Sequence, residues 1–229
     1  MFRVLIRSFA CISGLLALGA LAACNSTSAR AGAAAKIPSP AVDDSLATTK
    51  GEQTAVFAGG CFWGIQAVFE HVKGVTSATA GYSGGAVKNP SYEAVSSGET
   101  GHAESVKVVY DPSQISYGQL LKVFFSVAHD PTELDRQGPD TGTQYRSAIF
   151  YANENQQRIA RAYIDQLNQA KVFPKPIVTQ VVAFSRFYPA EDYHQDYARK
   201  HPYDPYIAIC DLPKLEHLRQ ELPDLYRNK

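Results

Sequence analysis

The stretch Thr54-Ala55-Val56-Phe57-Ala58-Gly59-Gly60-Cys61-Phe62-Trp63-Gly64, continued by Ile65 to Val72, decides the fold. Thr54 to Ala58 is a short apolar run of strand length, and Gly59-Gly60 stops it. From Cys61 to about Val72, the residues Phe62, Ile65, Phe69 and Val72 recur at spacings of three, four and three, which gives a helix one apolar face. A strand that passes into a helix through two glycines places Cys61 at the helix N-terminus. Unpaired N–H groups and the positive end of the helix dipole meet a sulfur there, and both favour the thiolate, the reactive form. The glycines on either side let another molecule come close to the sulfur, and Phe62 and Trp63 offer an apolar wall beside it. The plainer alternative is a buried cysteine that only fills space.

Further along the chain the periodicity changes from one element to the next. Val75 to Tyr82 alternates as a strand and ends near Gly84-Gly85. Glu104 to Tyr110 alternates strictly, with Val106, Val108 and Tyr110 on one face. Ser116 and Gln119 form a capping-box pattern that opens a helix through Leu120, Leu121, Phe124 and Phe125. Arg146 to Tyr151 is a strand, and Asn153 to Ala170 is an amphipathic helix with Ile159, Tyr163, Ile164 and Leu167 inward. Ile177 to Phe184 is a strand, Ala190 to Lys200 a polar helix, and Pro213 to Leu222 a last helix. Strands and helices alternate irregularly, which favours an α+β two-layer sandwich with helices against a mixed or antiparallel sheet. Between His129 and Tyr145 lies an aperiodic stretch, HDPTELDRQGPDTGTQY, of the kind that walls an active site.

These elements belong to residues 54–229, which hold all 13 Tyr, the one Trp and nine of the 11 Phe. The residues before them are of two other kinds. Residues 1–23 read as a secretion signal, with Arg3 and Arg7 ahead of the uncharged stretch Phe9 to Leu21. That stretch is short for a membrane span. It runs into Leu21-Ala22-Ala23-Cys24, which resembles the bacterial lipoprotein box, and the resemblance implies cleavage before Cys24 and acylation of that cysteine. Asn25 after the cysteine points to the outer membrane, facing the periplasm. Residues 24–53 then read as an acylated cysteine and a flexible linker rich in Ala, Ser, Thr, Gly and Pro, spanning about 30 Å as a coil.

The composition narrows the classes. The chain balances 22 Lys+Arg against 22 Asp+Glu, so it lacks the basic excess of an electrostatic nucleic-acid binder. Four cysteines in 229 residues are too few for a disulfide-stapled scaffold, and no C-x-x-C or H-E-x-x-H metal motif is present. The only methionine is Met1, so a processed chain has none, as suits a protein working where methionine is oxidised.

Five motifs join Gly60-Cys61-Phe62-Trp63-Gly64 in a family pattern: Gly81-Tyr82-Ser83-Gly84-Gly85, Asn89-Pro90-Ser91-Tyr92, Thr100-Gly101-His102-Ala103-Glu104, Gly142-Thr143-Gln144-Tyr145-Arg146-Ser147 and Tyr193-His194-Gln195. Together they resemble the A class of peptide methionine sulfoxide reductases. The resemblance implies a ferredoxin-like α+β fold and a monomer that reduces methionine S-sulfoxide, free or in oxidised proteins and peptides. It implies no bound cofactor and an external thiol reductant, a thioredoxin-like protein or a small dithiol. The cysteine attacks the sulfoxide sulfur and becomes a sulfenic acid, which a second thiol clears.

The resemblance also gives roles to single residues. Strand parity points Glu104 to the face of Val106 and Val108, where burial keeps a carboxyl protonated, although without the motif a solvated strand-end glutamate is the favoured reading. The family match makes Glu104 the proton donor. It singles out Tyr92 and Tyr145 as phenols that hydrogen-bond the sulfoxide oxygen, Asp140 as a helping acid, and Phe62, Trp63 and His194 as substrate-binding. Cys210 is the candidate resolving thiol, but Ile207 stands where the family usually has that cysteine. A small apolar residue at a strand end is the other reading of Cys210. Three rivals stay open at this point: a Cys–His hydrolase, a thiol peroxidase, and an envelope binding module with an inert cysteine.

Overall fold

A computed structural model of the chain describes residues 37–229, so Cys24 and the segment read as a signal lie outside the described residues. Six strands form one sheet, in the order Gln180–Ala183, Ala148–Tyr151, Gln53–Ala58, Ala103–Tyr110, Val75–Ser83, Phe187–Pro189. In chain order the elements are β1 (Gln53–Ala58), α1 (Phe62–Glu70), β2 (Val75–Ser83), α2 (Tyr92–Ser96), β3 (Ala103–Tyr110) and α3 (Tyr117–Val123). They continue with β4 (Arg136–Gln137), β5 (Asp140–Thr141), β6 (Ala148–Tyr151), α4 (Glu154–Gln169), β7 (Gln180–Ala183), β8 (Phe187–Pro189), α5 (Tyr197–Lys200) and α6 (Leu212–Glu221). β4 and β5 make a separate two-stranded hairpin. Within the large sheet only β6 and β7 pair in parallel. The central four, β6-β1-β3-β2, with α1 linking β1 to β2 and α3 on the path from β3 to β6, form the split βαβ plan of a ferredoxin-like fold.

The period-two pattern sorts the strand residues onto two faces. Ala55 and Phe57 of β1, Ala80 and Tyr82 of β2, Val106, Val108 and Tyr110 of β3 and Ile149 of β6 join the main core with the helices. Phe57 stacks on Phe69 of α1 and on Phe124 at ring-centroid distances of 5.2 and 5.0 Å. α1 is buried at every residue except Trp63, because the C-terminal α6 packs on it opposite the sheet. The other sheet face carries a smaller cluster of Val56, Ala58, Ala103, Ala148 and Phe150 under Phe184 and Phe187. Among the described residues no helix is long and apolar enough to cross a membrane.

The capping box forms as read, with Ser116 Oγ accepting from the Gln119 N–H and the Gln119 side chain accepting from the Ser116 N–H. Four expectations are corrected. The polar helix over residues 190–200 is a 3-10 turn, Asp192–His194, followed by an extended Gln195, a left-handed Asp196 (φ 58°) and the short α5. Gln195 breaks the helix because its side chain serves the sheet edge: Oε1 accepts from the Ala80 N–H and Nε2 donates to the Ala80 and Ala190 carbonyls, each at 3.0 Å. The strand over 177–184 shortens to Gln180–Ala183, since the Ile177 and Val178 N–H groups go to Asn168 Oδ1 and the Pro131 carbonyl. The aperiodic stretch 129–145 holds the β4–β5 hairpin and a 3-10 turn, Thr143–Tyr145.

The fourth correction concerns the linker. Residues 37–44 dock as a strap across α3 and α4. Ile37 and Val42 pack on the core, and Tyr163 Oη donates to the Pro38 carbonyl at 2.7 Å. Asp43 accepts from Ser116 Oγ at 2.5 Å and from the Gly118 N–H at 2.8 Å, placing its carboxylate at the positive end of α3. An apolar pair, one well-placed acid and the bonds of Tyr163 and Gln166 order a segment whose composition reads as coil.

Candidate active site

β1 ends in a turn that only glycine makes easily: Gly60 has φ +97°, and a Cβ there would stand 2.6 Å from Gln137 Cγ. The turn sets Cys61 at the N-cap of α1 (φ −56°, ψ 126°), with its side chain making no cap bond of its own. The β1–β3 register ends with Phe57 opposite Val106, so Glu104, two residues nearer the start of β3, stands beside this turn. Parity carries its carboxyl to the helix side. There Glu104 Oε2 accepts the Phe62 N–H at 3.0 Å, capping α1 in place of the cysteine, and this sets the buried carboxyl beside the Cys61 thiol. Cys61 is 8% exposed and Glu104 2%.

Burial governs both groups. It pushes the Glu104 carboxyl up to about 8 against the opposing pull of the Phe62 N–H, with Asp140 and Asp211 adding to the rise. Burial also raises the Cys61 thiol well above its ordinary value, followed by Glu104 and Asp211, while the Trp63 N–H and Lys214 act the other way. The expectation that the helix end holds Cys61 as a thiolate is therefore corrected for the resting site. The Phe62 N–H is taken by Glu104, and desolvation outweighs what remains of the helix field. At rest the sulfur and the carboxyl both carry protons at neutral pH.

The phenols close the space in front of them. Tyr92 opens α2, N-capped by Ser91, and its backbone N–H donates to Glu191 Oε1 at 2.9 Å. The other oxygen of Glu191 accepts from Tyr82 Oη at 2.9 Å, which ties α2 to the sheet. Tyr145 ends the 3-10 turn after the hairpin. Burial raises both phenols, and the charges of Glu104, Cys61 and Asp140 add to each, so both stay protonated donors around one centre. Asp140, on β5, accepts from Tyr206 Oη at 2.5 Å.

An aromatic wall flanks the thiol. Phe62 is fully buried, with its ring centroid 5.1 Å from that of His194. Trp63 stacks on Tyr197 at 3.9 Å and meets Tyr206 edge-on at 6.0 Å. Its Nε1–H donates to His194 Nδ1 at 3.2 Å, which leaves the proton of the neutral ring on Nε2. Burial lowers the imidazole from its ordinary value, and Nε2 has no partner among the described residues. His194 thus orients Trp63 within the wall.

Cys210 lies half-buried in a π-helical turn, Ile207–Asp211, rather than at a strand end. Burial and then Asp211 raise its thiol, and both Cys210 and Cys61 are free. Sequence reasoning missed Tyr206, Glu191, Asp211 and Lys214. The i,i+3 spacing of Asp211 and Lys214 at a helix start was their one available signal. Among the described residues no histidine bonds Cys61: His194 pairs with Trp63, and His129 meets Ser147 Oγ at 2.7 Å and the Phe124 carbonyl at 3.1 Å. A carboxyl rather than an imidazole attends the thiol, which disfavours the Cys–His hydrolase. Nor does any group of three His, Cys, Asp or Glu among the described residues suit a metal ion.

The family model described as peptide methionine sulfoxide reductase matches residues 53–225, from β1 through the last helix. The chain belongs to the peptide methionine sulfoxide reductase family. It is 59% identical over 179 residues to peptide methionine sulfoxide reductase MsrA 2 of Mesorhizobium japonicum, covering 78% of this chain and 92% of that one. It is 54% identical over 190 residues to the MsrA 2 of Synechocystis sp., covering 82% and 89% of the two chains. Among solved structures it resembles methionine sulfoxide reductase A of Corynebacterium diphtheriae (TM-score 0.60, 38% identity, 69% and 80% of the chains). It also resembles reduced Mxr1 of Saccharomyces cerevisiae (TM-score 0.61, 30% identity, 70% and 94%). The chain is an oxidoreductase that reduces methionine sulfoxide, and its fold is that family's α+β fold.

Proposed function

We infer that Cys61 is the nucleophile and Glu104 the proton donor of this reduction, acting on methionine S-sulfoxide. The observation that carries the reading is the buried carboxyl of Glu104 held on the Phe62 N–H, at the helix end that Cys61 caps. The sulfoxide enters with its oxygen towards Tyr92, Tyr145 and Glu104 and its methyl group against Phe62 and Trp63. Glu104 gives its proton to the oxygen, which makes the sulfur electrophilic, and takes the proton of the Cys61 thiol as the S–S contact forms. The oxygen then passes from one sulfur to the other: an S–O bond forms on Cys61 as the substrate S–O bond and the S–S contact break, methionine leaves, and Cys61 is left as a sulfenic acid. Cys61 is oxidised by two electrons and the sulfoxide reduced by two. Asp140, bonded to Tyr206, holds the rim in place. Cys210 then attacks the sulfenic sulfur, water leaves, and a thioredoxin-like dithiol reduces the resulting disulfide.

Turnover of an S-sulfoxide peptide, with mass spectrometry of the protein, tests this. Cys61→Ser is expected to abolish reduction, and activity within about tenfold of the parent enzyme sinks the assignment. Cys210→Ser is expected to release one methionine per enzyme, accumulate a dimedone-trappable Cys61, and stop with the protein dithiol.

The same enzyme is proposed to act on oxidised proteins of the cell envelope as a lipoprotein anchored through Cys24. The support is sequence: Arg3 and Arg7, the apolar stretch, and Leu21-Ala22-Ala23-Cys24. Cys24→Ser is expected to move the protein from the membrane fraction to the soluble one. An unlipidated parent protein refutes the anchor.

A further inference from the structure

The C-terminal segment brings a buried ion pair to the back of Cys61 that the steps above do not use. Asp211 ends the π-helical turn and Lys214 lies in the first turn of α6. Lys214 Nζ meets Asp211 Oδ1 at 3.0 Å, with the Asp211 side chain shut off from solvent. Asp211 Oδ2 has no hydrogen-bond partner among the described residues. The pair lies on the third residue of α1: a Cβ on Gly64 would stand 2.0 Å from Asp211 Oδ1 and 2.8 Å from Lys214 Nζ. Position 64 therefore takes no side chain, and the carboxylate abuts the first turn of the helix that Cys61 caps.

A buried pair with one oxygen unsatisfied contributes little to stability, since desolvation offsets the attraction. Its position suits an electrostatic role better. The groups that act on Cys61 come from four elements: Glu104 from β3, Asp211 from the turn, Lys214 from α6, and the Trp63 N–H of α1 itself. The Tyr206 phenol, held by Asp140, stands beside them. Glu104 already serves as proton donor, which leaves Asp211 and Lys214 as the charges without a task.

We propose that the Asp211–Lys214 pair is a positioning element of the reductase, pinning the Cys210-bearing turn to the first turn of α1 and, through the Asp211 charge, keeping the proton on Cys61 until substrate is bound. A carboxylate near a thiol in a low-dielectric setting opposes its ionisation, and the ammonium of Lys214 tempers that effect. A thiol kept protonated at rest is spared by peroxide, which reacts with thiolates. Cys210 is the neighbour of Asp211 in sequence, so a movement of Cys210 towards an oxidised Cys61 carries the charge with it. Resolution and restraint are thereby linked in one turn of chain.

The proposal rests on Cys61 being the nucleophile, and its test needs no turnover. The full chain is treated with iodoacetamide across a range of pH, and alkylation of the Cys61 peptide is followed by mass spectrometry. Asp211→Asn keeps the shape and removes the charge. It is expected to speed alkylation near pH 7 by about threefold to tenfold and to move the profile to lower pH. Lys214→Met keeps the aliphatic stem and is expected to slow alkylation by a similar factor, moving the profile the other way. Opposite movements support the pair, because simple loosening of the turn exposes the thiol and speeds both variants. Profiles that do not move, or that move together, overturn it. If Asp211→Asn fails to fold, Lys214→Met decides alone, and alkylation as fast as in the parent or faster overturns the proposal. Failure of the nucleophile assignment reads differently: Cys61→Ser would still reduce the sulfoxide, whatever the alkylation profiles show.

Discussion

Glu104 reaches Cys61 from β3, a strand bonded to β1 on one side and β2 on the other. His194 and Tyr206 reach the same site from chain that belongs to no long element. The first pair is positioned by ladder hydrogen bonds and strand parity, which leave the carboxyl no choice of face. The second group is positioned by individual side chains: Gln195 on the sheet edge, Glu191 between Tyr82 and Tyr92, Asp140 on Tyr206. The reacting groups thus sit on the stiff part of the fold and the walls on the adjustable part. A strand holds one carboxyl against one sulfur, while a rim must admit and release a peptide. The two regions are expected to fail differently when altered, the first in the chemical step and the second in binding.

The strand side is broken most sharply at Glu104. Glu104→Gln preserves the bond from the Phe62 N–H but has no acidic proton, and a loss of about 10² to 10⁴ in the single-turnover rate is expected. The pH dependence separates this from a packing fault. With the carboxyl pushed up to about 8, the parent enzyme holds its donor proton below that pH and loses it above, so its rate falls as pH rises through about 8. The variant should show no such fall. Stability follows the same proton. The folded chain keeps it to about 8, while an unfolded carboxyl releases it near 4.5, so the fold weakens as pH rises across that window. Glu104→Gln should flatten that slope in denaturant titrations. A loss confined to KM would show that Glu104 binds rather than donates.

The difference between the regions also explains what could be read from the sequence. β1, α1, β2, β3 and the capped α3 were legible because period and parity are local, and Glu104 was placed on the helix face by counting from Val106. The rim was not legible. Nothing local in residues 190–200 says that Gln195 will leave the helix to bond Ala80, over 100 positions earlier in the chain. The short helix at Tyr92 and the hairpin that presents Asp140 are too brief to show a period. Tyr92, Tyr145 and Asp140 came from the family motif alone. The thiol was misjudged because a helix N-terminus is visible in the sequence, whereas its burial and the charge that Asp211 brings beside it are tertiary properties.

The rim is broken at its anchor. Gln195→Ala strips the Ala80 N–H and the Ala190 carbonyl of their partner, while the Ala80 carbonyl keeps the Ala190 N–H, at a cost of about 1 to 3 kcal/mol of stability. His194 and Trp63 lose their fixed places with it. The expected kinetic result is a KM raised severalfold with the single-turnover rate at saturation little changed. A fall in that rate comparable to the Glu104 variant would erase the distinction between the regions.

The smallest effect is expected at the strap, which touches neither region. Asp43 accepts from Ser116 Oγ and from the Gly118 N–H at the start of α3, and so acts as a capping acid supplied from outside the helix. Losing a helix cap destabilises by about 1 kcal/mol, and Ser116 still holds Gln119 through the capping box, so the loss should lie near that figure. For a domain of this size that corresponds to a fall of about 2 to 4 °C in Tm for Asp43→Ala. Activity should be unchanged, since α3 carries no residue of the site. Proteolysis near residue 40 should quicken together with the fall in Tm. An unchanged Tm would mean that the packing of Ile37 and Val42 and the bonds of Tyr163 and Gln166 hold the strap, and that Asp43 only decorates it.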